Sequence, residues 1–296
     1  MLIVGDYLWA ESLLILRRKY MLKRYIDFLK RSPIITAAIC IIYVVICFKS
    51  IKTDTNFQFF IVRTMLCGAV CFFLYQISGD KALTNCDNST GYVLKYSLGF
   101  LILSALFGSI LIIAHIEEKT AFVANPLKEI IIVFLMYMSV GLFEELAFRA
   151  VINDAIIYKF RNWKYVFVLS AVVSSVVFGA VHIIGFDMSS PTAWGQAIGK
   201  TTEAGLFGFA LLILYWKTRN IWACGIAHGL NDFLIDFQSG LFVYEEASHG
   251  YINEGETAIR SIIMYCILAV IYIVFLFIIW KKVGKTIDFN KIREEW

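Results

Sequence analysis

The sequence predicts an all-α, polytopic membrane protein of about eight transmembrane helices with both termini in the cytoplasm. Composition, run length and charge placement carry this expectation. Of 296 residues, 59% are hydrophobic and only 17% charged, against about 45–50% and about 25% in a soluble domain. Mean hydropathy is +0.72. Such a chain is too apolar for a soluble enzyme or a nucleic-acid reader, and too rich in aromatics, at 16%, for disorder. The seven cysteines form no CxxC pair and sit mostly in apolar runs, where they read as small filler.

The elements follow in order. Residues 1–32 are basic and amphipathic, which suits a helix lying on anionic headgroups as an anchor and topology device. They carry no cleavable signal pattern. Eight runs then approach the roughly 17–25 apolar residues of a spanning helix: 33–48, 57–78, 96–115, 129–157, 165–185, 195–216, 220–238 and 260–280. All three prolines, Pro33, Pro126 and Pro191, fall at loops or span edges, so the helices run unbroken. A basic tail, 281–296, closes the chain. With no repeat and no low-complexity stretch, residues 33–280 read as one membrane domain. With the N-terminus inside, 19 Lys and Arg fall on the cytoplasmic side, 5 on the other and 3 inside spans. That bias sets the orientation. The external loop 239–259 agrees, with four Glu (245, 246, 254 and 256) and no Lys or Arg.

Ionisable groups at membrane depth are costly and mark function or buried pairing. Here they concentrate in the central spans. The fourth contains GLFEELAFRAVIND, the fifth FGAVHIIG, the sixth Lys200 and Glu203, and the seventh GIAHGLNDF. Glu145 and Arg149 are four apart and can pair on one helix face. Glu144 is turned by about 100° from Glu145, so the two carboxylates should point differently, one held by Arg149 and one facing a cavity. Phe178 and His182 share a face, as do His228 and Asp232. Lys200 and Glu203, three apart, read as a self-neutralising structural pair. His115 and His249 lie at span ends or in loops. A lone buried His is usually a core residue. Two of them beside a Glu-Glu pair and an Arg point instead to a general base and a donor to an oxyanion.

EELAFR (144–149), FGAVH (178–182) and HGLND (228–232) resemble the ordered motifs EExxxR, FxxxH and HxxxN/D of the CPBP or ABI intramembrane endopeptidases, which include the CAAX prenyl endopeptidases. The resemblance covers about 129–238. It implies an all-helical glutamate-type protease that hydrolyses a peptide bond of a membrane-associated substrate, prenylated in one branch, with no cofactor and no metal. By carry-over, Glu144 resembles the base that activates water and His182 the residue that helps hold it. Glu145 resembles the second carboxylate, locked by Arg149. His228 and Asp232 match the pair that stabilises the oxyanion, with Phe178 and Asn231 in support. The prenyl-peptidase branch has Asn where this chain has Asp232. An ionised Asp cannot donate to an oxyanion, so Asp232 is protonated, orients His228, or leaves the role to Asn231. Asp at this position occurs in bacterial relatives, which suggests a bacterial cell membrane.

One tension is geometric. At 1.5 Å per residue, His228 lies about 12 Å and His182 about 25 Å from the basic loops, so at least one boundary is shifted or a helix is tilted or broken. Gly179, Gly185, Gly225 and Gly229 would allow close helix approach. Three other classes compete: a non-catalytic scaffold, sensor or immunity protein of the same fold, a His/Glu metal protease, and a proton-relay transporter. All motif positions are filled, no HExxH occurs and no inverted repeat is visible, which disfavours each in turn. Lipid bilayer and a membrane-associated peptide or protein are the expected partners, and nucleic acid is not. The oligomeric state is not legible.

Overall fold

A computed structural model describes residues 20–84, 86–184, 187–243 and 252–295. The first 19 residues of the basic segment, Gly185, Glu245, Glu246 and His249 lie outside the described residues. The described chain is 83% helical with no strand; Phe122 and Phe242 make an isolated antiparallel bridge.

In chain order, α1 (Tyr20–Arg31) meets α2 (Pro33–Ser50) at a bend of 105°. Then come α3 (Asn56–Ser78), the short α4 (Lys81–Thr84), α5 (Thr90–Glu117) and α6 (Pro126–Glu144). A π-helical stretch, Glu145–Ile152, carries α6 into α7 (Asn153–Phe160). The rest are α8 (Val166–Val181), α9 (Pro191–Thr218), α10 (Ile221–Asp236), α11 (Gly255–Lys282) and α12 (Phe289–Glu294). Helix starts follow local chemistry. All three prolines sit in the first turn, where no N–H bond is lost. Thr55, Asn125, Ser190 and Asn220 accept hydrogen bonds from backbone N–H groups of the first turns of α3, α6, α9 and α10.

Each expected span is met by a helix, but the count of eight spanning helices needs correction. Among the described residues five are long and apolar enough to cross a membrane, or six if the bent α1–α2 pair counts as one. Helices α8 and α10 have 16 residues each, about 24 Å at 1.5 Å per residue, short of the roughly 30 Å of bilayer hydrocarbon. These are the helices that carry His182 and His228. The five long helices mark a multi-pass membrane protein.

Burial separates centre from rim. Half of the apolar window of Pro126–Phe160 and 56% of that of α9 are buried inside the protein, against 17–22% for α3, α5 and α11. The rim helices expose large apolar side chains such as Met65, Leu106, Val270 and Phe277, as lipid-facing surfaces do. The α9–α10 turn is not a surface loop. Thr218, Arg219, Asn220 and Ile221 are all buried. Arg219, counted from sequence as a topology-setting loop residue, pairs with Asp154 at 3.4 Å and Glu295 at 3.1 Å. The tail is likewise not loose: Ile292 is buried, and Phe289 packs on Phe167 and Trp216. On the other flank the Trp222 indole donates to Leu83 O at 2.8 Å and the Asn220 amide to Asn88 O at 3.2 Å. The turn is therefore sunk beneath α4 and α12. The start of α10 is no exposed loop from which the depth of His228 can be counted.

Candidate active site

The site forms where the α6–π junction, α8, α9 and α10 meet. Helices α6 and α10 come together at glycine: a Cβ on Gly141 would collide with the backbone of Gly225 and Gly229, and one on Gly229 would lie 2.7 Å from Tyr137 O. Gly225 against Leu142 and Gly179 against Thr201 are similarly tight.

Glu145 is fully buried at this contact. Its Oε2 lies 3.3 Å from Arg149 Nε, the i,i+4 pair expected from spacing. Its Oε1 accepts a hydrogen bond from His228 Nδ1 at 2.7 Å. Arg149, also fully buried, donates from Nε to Gly208 O at 3.4 Å and lays its guanidinium 3.6 Å over the Phe178 ring, a cation–π contact. A side chain at position 208 would occupy the space of Arg149 and Phe178, so the glycine makes the Arg149 pocket.

Glu144 approaches the same imidazole from the other side, with Oε2 3.6 Å from His228 Nε2. Asp232 Oδ2 stands 3.5 Å from that nitrogen. Glu144 and Glu145 leave the backbone in different directions, yet the ring presents a nitrogen to each. The π-helical stretch begins between them, at Glu145. Its i→i+5 bonding widens the turn, and such bulges recur at functional sites.

His182 caps the end of α8. Its Nδ1 must donate to Phe178 O, at 2.8 Å, because a carbonyl only accepts. That leaves Nε2 of the neutral ring as an acceptor. The Phe178 ring stands edge-on to both His182 and His228, with centroids 4.8 and 5.8 Å away, and Phe207 meets His228 at 5.1 Å. Asn231 is buried; it accepts from Ser104 Oγ at 2.7 Å and donates to Asp232 Oδ1 at 3.4 Å. Lys200 and Glu203 pair at 2.9 Å, as the spacing predicts.

All eight residues singled out from sequence, Glu144, Glu145, Arg149, Phe178, His182, His228, Asn231 and Asp232, thus gather in one region. Sequence reasoning missed Ser104, Phe207, Gly208 and Arg63. Arg63 on α3 is buried beside the rings of Phe59 and Phe143, within electrostatic reach of Glu144. Its position inside a span was the one available signal; an ordinary Ser, Phe or Gly in an apolar helix carries none. Among the described residues no three His, Cys, Asp or Glu are arranged to hold a metal ion.

Residues 126–234 match the family model described as type II CAAX prenyl endopeptidase Rce1-like. The chain is similar to that family over this stretch, a little more than a third of its length. The Rce1-like region runs from the start of α6 nearly to the end of α10 and includes every one of the eight residues. Ser104 and Arg63 lie outside it, on helices that pack against it. No curated protein and no solved structure matches the chain.

Proposed function

We propose that this protein is an intramembrane endopeptidase that hydrolyses a peptide bond of a membrane-associated peptide or protein with water activated by Glu144 and His182. The observation that carries the reading is His228 held between two buried carboxylates, Glu145 at one ring nitrogen and Glu144 at the other, inside an apolar bundle. A structural core histidine needs one partner. This one has three acids around it and a pre-set ring orientation.

In the proposed reaction Glu144 takes one proton from water, while the other stays on the oxygen and its O–H donates a hydrogen bond to His182 Nε2. The water oxygen attacks the scissile carbonyl carbon. His228 donates from Nε2 to the developing oxyanion, with Glu145 and Asp232 stabilising the doubly protonated ring. Collapse breaks the C–N bond, and the proton on Glu144 passes to the leaving amine. Arg149 neutralises Glu145, so the ring faces a fixed carboxylate. Asp232, itself held by Asn231 and through it by Ser104, orients His228 in place of donating directly. This accommodates an Asp at the position where the prenyl-peptidase branch carries Asn.

The test is cleavage of quenched-fluorescent peptides by the full chain in proteoliposomes. Peptides with a farnesylated C-terminal box, the same peptides without the lipid, and a membrane-spanning peptide separate the substrate classes. Glu144→Gln should lower the rate by on the order of 10²–10⁴-fold, with an unchanged elution profile. Wild-type rates in Glu144→Gln would reject Glu144 as the base. Equal, enzyme-independent turnover of all three peptides would reject peptidase activity.

A further inference from the structure

Away from the Rce1-like site, at the end of the bundle where α1 bends into α2, Arg31 and Pro33 face the α7–α8 turn across a pocket of about 470 Å³. Tyr158, Lys159, Arg161 and Trp163 line its other side, and no Asp or Glu is among the described residues that line it. No side chain caps the N-terminus of α2, which opens here at Pro33. A helix of 18 residues therefore directs the positive end of its dipole to the same place as three cationic side chains.

The surroundings identify the medium. Helix α1, turned 105° from α2, carries Lys23, Arg24, Lys30 and Arg31 along one side, with Asp27 between them, and exposes Met21, Leu22, Tyr25 and Phe28. Only Leu29 is anchored in the protein core. Such a helix lies in the interface with its apolar side in the acyl boundary. Trp163 and Tyr158, both exposed, are the residue types that sit at headgroup level. A soluble anion would leave this apolar and aromatic border in water.

We propose that the pocket is a binding site for the phosphate of an anionic phospholipid headgroup, gripped by Arg31 and Lys159 with its acyl chains against α1. The proposal is independent of the peptidase reading and shares none of its residues. The phosphate would tie the α1–α2 bend to the α7–α8 turn, on the helix that continues from Glu144 and Glu145.

The experiment is native mass spectrometry of the full chain released from nanodiscs of phosphatidylcholine alone, or with added phosphatidylglycerol or phosphatidic acid. We expect a retained anionic lipid, with affinity falling about fivefold for Arg31→Gln and again for Lys159→Gln, from about 1 kcal/mol per basic residue near an anionic surface. Lys282→Gln/Lys285→Gln, on exposed lysines outside the pocket, should leave it unchanged. An equal loss in that control would show diffuse attraction and overturn the site, as would no preference for anionic lipid. Displacement of the lipid by inorganic phosphate, with equal retention of free phosphate in neutral discs, would assign the pocket to a soluble anion and overturn the lipid assignment. Each variant's elution profile is compared with wild type, so that misfolding is distinguished from lost binding.

Discussion

Arg149 and Glu145 are expected to be worth far more together than apart. Both side chains are 0–1% exposed and stand 3.3 Å apart. At an effective dielectric of about 20, two unit charges at that distance attract by about 5 kcal/mol, most of it offset by the cost of taking them out of water. The informative quantity is therefore the coupling. Arg149→Met strands an ionised Glu145, which should cost about 3–5 kcal/mol. Glu145→Gln strands Arg149 but keeps an oxygen to accept from His228 Nδ1–H. The double variant buries no unpaired charge at this pair and should recover about 2 kcal/mol or more relative to the sum of the two singles. The measurement is unfolding in mixed detergent micelles for the wild type, both singles and the double, followed by tryptophan fluorescence. A coupling below about 0.5 kcal/mol, the scatter expected of independent sites, would refute the claim that Arg149 is there to neutralise Glu145.

Gly208→Ala should cost about 1–3 kcal/mol by overpacking, because the added methyl would stand against the Arg149 guanidinium and 2.9 Å from Phe178 Cδ1; the same unfolding assay reads it. Ser104→Ala removes the donor to Asn231 and should cost about 1 kcal/mol, with a fall in peptidase rate if Asn231 holds Asp232 in place. Arg219→Leu strands the buried Asp154 and frees Glu295; a loss of about 3–5 kcal/mol is expected, with faster limited proteolysis within 283–295. By contrast, Lys291→Ala breaks only the exposed pair with Asp87 at 2.7 Å and should change stability by at most about 1 kcal/mol.

The parts of the fold legible in the sequence are those set by short-range rules. Run length and hydropathy located every helix that was expected, because a membrane helix must satisfy its own backbone. Thr55, Asn125, Ser190 and Asn220 mark helix starts through bonds made within a few residues. The Glu145–Arg149 and Lys200–Glu203 pairs were legible for the same reason, since helical spacing alone brings them together. Arg219 was misread because loop position by sequence says nothing about what folds over a loop. Its burial depends on α4 and α12, one distant on each side in the chain.

The sequence by itself determined that the chain is a helical membrane protein and which polar residues are placed at depth, because charge is so scarce among its apolar runs that each exception stands out. Only the tertiary structure decided how those exceptions meet. His228 reaches Glu144 and Glu145 across 83 or more positions of sequence, through a turn sunk beneath two other elements, a helix contact closed by Gly141 and Gly229, and a π-helical junction that nothing in the local sequence marks. These depend on packing between helices, where steric fit and the pairing of buried charge act over distances that periodicity along the chain does not encode.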